Sequence, residues 1–366
     1  MPENLLKQQE RVAFALRALY RKYGYLPYKM SKFESYDLYA SNKDFLVGDG
    51  VITFNDTDGK LLALKPDVTL SIIKNCGDDA TEKRKVYYHE NVYRISGETK
   101  QFKEIMQAGV ECIGDIDTYD VYETVCLAAE SLRQISASYV LDISHLGLLS
   151  AVFAELNIQG ETAKTATRLL ADKNVHELNA LLLGKGVCEK GVLALAELCR
   201  FYGSITDALA LCKPLCSSVQ AKAAYDELER LQALLAQTPY AANVRFDFSV
   251  VGDMKYYNGI VMKGFVDGVC EGVLSGGRYD TLMARMGKNS GAIGFAVYLD
   301  LLEGLEKKQT SFDIDVLVLY DEKTDLSALA KFVRQKTAED MRVSVQKQQG
   351  KLRYRQLVDM RGANHS

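Results

Sequence analysis

Between Val86 and Gly114 the chain reads VYYHENVYRISGETKQFKEIMQAGVECIG, two β-rich runs around a loop rich in Gly, Lys and Glu. The first run carries Arg94, and the strand-loop-strand outline is that of an enzyme that activates a nucleotide. In the second run Gln107 and Glu111 stand four residues apart. Four is two full periods of a strand, so both side chains leave the same face. An amide and an acid there can hold a small polar ligand, although a single strand-end Glu is more simply a solvated or locally paired acid. Further along, KYYNG sets Tyr256 beside Tyr257, as pocket wall or as core aromatics. In GGRYD, Gly276 and Gly277 permit close backbone packing, and Arg278 either reaches a pocket or closes an internal ion pair.

The surrounding pattern says which elements hold these residues. From Asn4 to Tyr25, Val12, Leu16, Leu19 and Tyr20 recur at helical spacing and the run stops at Gly24, an amphipathic opening helix. VITFNDTDGKLLALKP is two apolar runs around DTDG, a β-hairpin whose second strand ends at Pro66 and Asp67. Lys85 to Arg94 and Met106 to Ile113 add strands, so an antiparallel sheet is built hairpin by hairpin. From Asp120 to about Gln237 the chain is rich in Ala, Leu and Glu at helical period, which predicts a helical insertion over about 140–240. Strand character returns in VRFDFSV, KYYNGIVMKGFV and GVLSGGRYD, and a helix is expected from about Ser290 to Glu306. After a linker, KKQTSFD, the runs DIDVLVLYD, LSALAKFVRQKTAEDM and VSVQ predict a β-α-β unit from about residue 313. The expectation is an α+β domain over 1–306 and a small α/β domain over 313–366.

Composition excludes several classes. With 366 residues, 48% of them hydrophobic and 25% charged, the chain is a globular protein and not a disordered one. A net charge of −3 gives no broad drive towards nucleic acid or anionic lipid. No apolar run approaches the roughly 20 residues of a membrane span. The start, MPENLLKQQE, is too polar for a signal peptide, so a cytoplasmic protein is expected. The eight Cys are scattered, and Cys212 and Cys216 in CKPLC have neither a second pair nor a nearby His. They read as reduced core thiols, with no metal site.

In order, LALKPDVT, YYHENVYRISGETKQF, QAGVECIG, KYYNGIVM, GGRYDTLM and GAIGFAVYLDLL resemble the catalytic domain of histidyl-tRNA synthetase, from about Leu5 to Leu305. The resemblance implies a class II aminoacyl-tRNA synthetase-like fold, an antiparallel sheet flanked by helices, usually dimeric. That family makes histidyl-adenylate from ATP and histidine, using three arginines to neutralise the triphosphate. The first is kept as Arg94, although its Glu companion is Ser96; the second falls on Gly252 and the third on Leu301. Losing one preorganised charge of this kind costs about 10²- to 10³-fold. Adenylate formation is therefore expected to be lost, leaving Arg94 as a vestigial nucleotide contact or a structural cation. The histidine side survives better. By resemblance Glu111 accepts from the imidazole and Gln107 contacts the amino end. Tyr256 completes the imidazole site, Asp67 and Thr69 meet the α-amino group, and Tyr257 and Arg278 are expected among the histidine-binding residues. A buried acid opposite an imidazole is selective, because other side chains leave its charge unsatisfied. Here Lys65-Pro66-Asp67-Val68-Thr69 stands for the family's Arg-Pro-Glu-Gly-Thr, and Asp67 is one methylene shorter than the family's Glu.

Near the C-terminus KLRYRQ reads as a solvated face or partner-docking element and not as a tRNA footprint, since DMRGANHS stops where an anticodon-binding domain would continue. A synthetase-like domain with its histidine residues kept, its phosphate arginines lost and its tRNA-reading end truncated resembles the regulatory subunits of ATP phosphoribosyltransferase. LDISHLGLLSAV fits that group better than the synthetases. The resemblance implies a non-enzymic subunit with no cofactor that activates a short-form transferase catalytic subunit and carries feedback by L-histidine. It also implies a homodimer within a hetero-oligomer, with neither tRNA nor membrane as partner. The alternatives are a synthetase with unusual arginine placement and a free-standing histidine sensor.

Overall fold

In the computed structural model, which describes residues 6–42, 50–77, 82–96, 99–251, 256–305 and 312–362, the chain divides into two units, Met1–Leu305 and Glu306–Ser366. The first opens with α1 (Gln8–Lys22), β1 (Leu26–Pro27), β2 (Phe33–Ser35) and α2 (Tyr36–Ala40). It continues through the hairpin β3 (Thr53–Asn55) and β4 (Leu61–Leu64), α3 (Thr69–Asn75), β5 (Arg84–Ile95), β6 (Phe102–Gly114) and α4 (Thr118–Ile135). Strand β7 (Tyr139–His145) leads into a helical insertion from α5 (Leu146–Glu155) to α10 (Val219–Leu235). The unit closes with β8 (Val244–Phe246), β9 (Ile260–Val266), β10 (Leu274–Arg278), α11 (Asp280–Arg285), β11 (Gly291–Tyr298) and a 3-10 segment, Leu299–Leu305.

An eight-stranded sheet in the order β1-β5-β6-β11-β10-β9-β7-β8 organises this unit, and β2-β4-β3 form a smaller one. The large sheet is antiparallel through its centre, but both edge strands pair in parallel, β1 with β5 and β8 with β7. Strand alternation gives it two faces. On β6, Ala108, Val110 and Cys112 enter the main core with Leu16 and Tyr20 of α1 and Val125 and Leu132 of α4. Gln107, Gly109, Glu111 and Ile113 point the other way, where Ile113 joins Tyr39, Leu70, Ile73, Tyr88, Tyr256 and Tyr279 in a second cluster.

Two element assignments from sequence are corrected. The stretch expected as a helix from about Ser290 to Glu306 is strand β11 followed by the 3-10 segment. GAIGFAVY sits between β6 and β10 and is covered on both faces, so it lacks the alternation of a half-exposed strand. Within the block read as continuously helical, YVLDISH forms β7, again buried on both faces. Two of the eight cysteines, Cys188 and Cys270, are exposed and not core residues. Among the described residues no helix is long and apolar enough to cross a membrane.

In the second unit β12 (Ile314–Leu319), α12 (Leu326–Ala338) and β13 (Val343–Gln346) form the expected β-α-β crossover, and β14 (Tyr354–Asp359) adds a third parallel strand on the far side of β12. The charge run KLRYRQ is therefore partly structural. Arg353 is 2.9 Å from Asp313, and Tyr354 to Gln356 are already strand β14.

Leu132 is fully buried, and its methyls occupy the space that a Cβ at Gly264 on β9 would need. Leu132→Ala is expected to lower unfolding stability by about 2–5 kcal/mol, measured by urea denaturation.

Candidate functional site

The site is built where the end of β4 crosses over β5. Tyr93 N donates to Lys65 O at 2.9 Å, and Arg94 Nε donates to Pro66 O at 2.9 Å. These bonds pin Lys65–Thr69 above the sheet. Asp67 then caps the following helix, its Oδ1 accepting from Leu70 N at 2.8 Å, and Thr69 begins α3. Burial holds the Asp67 carboxyl above the ordinary range, partly offset by the Leu70 amide and the Arg94 charge.

Beneath this segment lies Glu111, only 2% exposed. Thr69 Oγ1 donates to its Oε1 at 2.7 Å and Tyr279 Oη donates to its Oε2 at 2.6 Å. Burial pushes the carboxyl up to about 8, and those two hydrogen bonds only partly counter it. No cation is placed against it in these contacts; its two oxygens are met by the hydroxyls of Thr69 and Tyr279. Tyr256 lies between Tyr257 and Tyr279, tilted to them by 56° and 55° with ring centroids 4.6 Å and 5.6 Å away, forming an aromatic wall beside the acid.

Glycines make room for this arrangement. Gly294 of β11 is the register partner of Glu111, and a Cβ there would overlap Glu111 Oε2. At Gly109 a Cβ would strike the Tyr88 hydroxyl, and at Gly277 it would sit 2.8 Å from Tyr257 Cδ1. Gly276 is crowded by the backbone of β11, which agrees with the close packing expected of the glycine pair.

Asp67, Thr69, Glu111, Tyr256 and Tyr257 thus come together, with Gln107 buried on the same face of β6 as Glu111. Arg278 does not join them. Its register partner is Ile293, whose side chain lies in the main core. Its Nε donates to Asp280 Oδ2 at 2.7 Å and its Nη1 lies 3.8 Å from Glu227 of α10, so the ion-pair alternative is the one the structure adopts. Arg94 is engaged in holding the Pro66 carbonyl. Leu301 packs against the main core, and Gly252 lies outside the described residues.

Sequence reasoning missed Tyr279, although alternation along GGRYD carried the signal: if Arg278 faces one side, Tyr279 faces the other. It also missed the pair formed by Lys65 Nζ and Glu90 Oε2, 2.6 Å apart, with the lysine side chain fully buried.

Between the ordinary Glu value of about 4.5 and about 8, folded Glu111 keeps a proton that the unfolded chain has released. The unliganded fold therefore loses stability as pH rises through that window. Glu111→Gln removes the charge, so the variant is expected to gain on the wild type between pH 5 and pH 8, by on the order of a few kcal/mol in urea unfolding. Gly294→Ala is expected to displace Glu111 and weaken any ligand held by it, by about tenfold or more, read in a binding titration.

The family model of histidyl-tRNA synthetase matches residues 2–302. Regulatory subunits of ATP phosphoribosyltransferase from Bacillus mycoides and Bacillus cereus are 27% and 26% identical over 321 residues, covering 85% of this chain and 76% of each relative. Among solved structures, an ATP phosphoribosyltransferase regulatory subunit/histidyl-tRNA synthetase from Bacillus halodurans superimposes with a TM-score of 0.77 at 22% identity, covering 100% of this chain and 97% of its own. A histidyl-tRNA synthetase from Nostoc gives 0.72 at 17% identity, over 96% of this chain and 86% of its own. An ATP phosphoribosyl transferase (HisG:HisZ) complex from Thermotoga maritima gives 0.62 at 18%, over 80% of this chain and 97% of its own. These likenesses establish the class II synthetase-like architecture. With the family model spanning most of the chain, the protein belongs to the histidyl-tRNA synthetase family.

Proposed function

We propose that this protein is a non-catalytic regulatory subunit of ATP phosphoribosyltransferase that binds L-histidine at Glu111. The observation that carries the histidine reading is the buried acid itself. Glu111 is held by Thr69 and Tyr279 beside a wall of tyrosines, an environment complementary to a flat ring that can share one proton with the acid. A site whose acid is charged only when a suitable base takes its proton is selective for that base.

The regulatory reading rests on what the phosphate side retains. Arg94, the remaining family arginine, is engaged with the Pro66 carbonyl, and the other two family positions carry Gly252 and Leu301. Such a pocket binds the amino acid without activating it, so aminoacylation is absent. The names carried by the Bacillus relatives and the Thermotoga complex support a transferase catalytic subunit as partner. In this account the chain works in the cytoplasm as a homodimer within a hetero-oligomer. Histidine shifts the assembly between active and inhibited states by binding one of them more tightly, and the coupling is reciprocal.

Mixing the purified chain with a short-form transferase catalytic subunit is expected to raise phosphoribosyl transfer. L-histidine should then suppress the activated rate, and should fail to do so with Glu111→Ala. ATP-pyrophosphate exchange at synthetase-like rates would contradict the proposal, and histidine binding with no effect on the transferase would identify a solitary sensor. Lacking two arginines worth about 10²- to 10³-fold each, the chain should show no exchange above background.

A further inference from the structure

We propose that the buried Lys65–Glu90 pair is the amino-acid end of the same pocket, with Lys65 taking the ligand's α-carboxylate and Glu90 its α-ammonium. The inference rests on the histidine reading above and specifies it.

Glu90 is the cross-strand partner of Gln107, as Val86 is of Glu111, so Glu90, Gln107 and Glu111 share one face of the sheet. The acid that meets the ring and the ion pair are thus separated by four residues of strand, about 13 Å between backbones. One amino acid lying along β6 would span that separation, with its ring at Glu111 and its backbone end at Lys65 and Glu90. The groups otherwise expected to hold its backbone end each already carry one contact. Asp67 Oδ1 accepts from Leu70 N, and the Thr69 hydroxyl donates to Glu111. Arg94 Nε is engaged by Pro66 O.

Lys65 is fully buried, while Glu90 is 16% exposed and opens the pair to solvent on one side. A buried lysine with one carboxylate partner is a poor device for stability, since its desolvation cost offsets most of the attraction. It is a good device for a zwitterion, whose ammonium and carboxylate can lie antiparallel to the Lys–Glu pair and complete a square of alternating charge. The backbone of Lys65 is fixed on both sides, its N donating to Lys32 O at 3.1 Å and its O accepting from Tyr93 N. The ammonium is therefore delivered from a rigid position.

The test compares L-histidine with histamine, which keeps the ring and the ammonium but lacks the carboxylate, by calorimetric titration of the full chain. Wild type is expected to favour histidine by about 10- to 100-fold, the worth of one charge-assisted contact. Lys65→Met should bring the ratio close to one. Lys65→Met/Glu90→Gln removes both charges, so it keeps the test open should the single variant not fold; in it the ratio should also collapse. A folded variant of either kind that keeps the wild-type ratio overturns this assignment alone. If wild type binds neither ligand, the histidine reading fails and this proposal with it.

Discussion

The structure turns on one acid withheld from water. Glu111 sits towards the C-terminal end of β6 with no cation against it in its observed contacts, its two oxygens met by the hydroxyls of Thr69 and Tyr279. Its neighbours follow from that position. The glycine at 294 clears its flank, and the segment from Lys65 to Thr69 is tied down over it by Tyr93 and Arg94. The tyrosines at 256, 257 and 279 supply an aromatic wall with polar tips. Such an arrangement works against the unliganded fold, since a buried carboxylate costs stability at any pH that ionises it. In the proposed account its value lies in discrimination.

In the proposed account, the sheet that in a synthetase would bring histidine to a triphosphate brings a ligand to a site whose phosphate side is put to structural use. Arg94 illustrates the change. In the resemblance it faces nucleotide, whereas in this structure it fastens Pro66 and so positions Asp67 and Thr69. Its retention in the sequence has an explanation without nucleotide. Arg278 likewise belongs to a network with Asp280 and with Glu227 of the helical insertion, on the face of the sheet away from Glu111.

Much of this was legible in the sequence, and the exceptions have physical causes. The opening helix, the hairpin around DTDG and the pairing of β5 with β6 follow from local period and turn residues, and the structure has them all. Strands β7 and β11 escaped because strands covered on both faces lose the alternation that marks them, and an apolar run beside Leu-rich helices reads as more helix. The parallel edges β1 and β8 are short pieces whose pairing depends on partners far along the chain. In the site, Gln107 and Glu111 were placed together by strand period alone. Tyr279 and the Lys65–Glu90 pair were not, because each acquires its role from a neighbour distant in sequence: Glu111 is 168 residues from Tyr279, and Glu90 is 25 from Lys65.

The most direct measurement of the central claim is the affinity for L-histidine, by calorimetry, across pH 6 to 9. A complex in which Glu111 and the imidazole share one proton must release a proton below the imidazole value of about 6.5 and take one up above the Glu111 value of about 8. The account predicts a flat optimum between those values, weaker binding on either side, and loss of binding in Glu111→Gln. An affinity that changes steadily through that window, or binding that survives the substitution, would show that the buried acid is not what recognises the ligand.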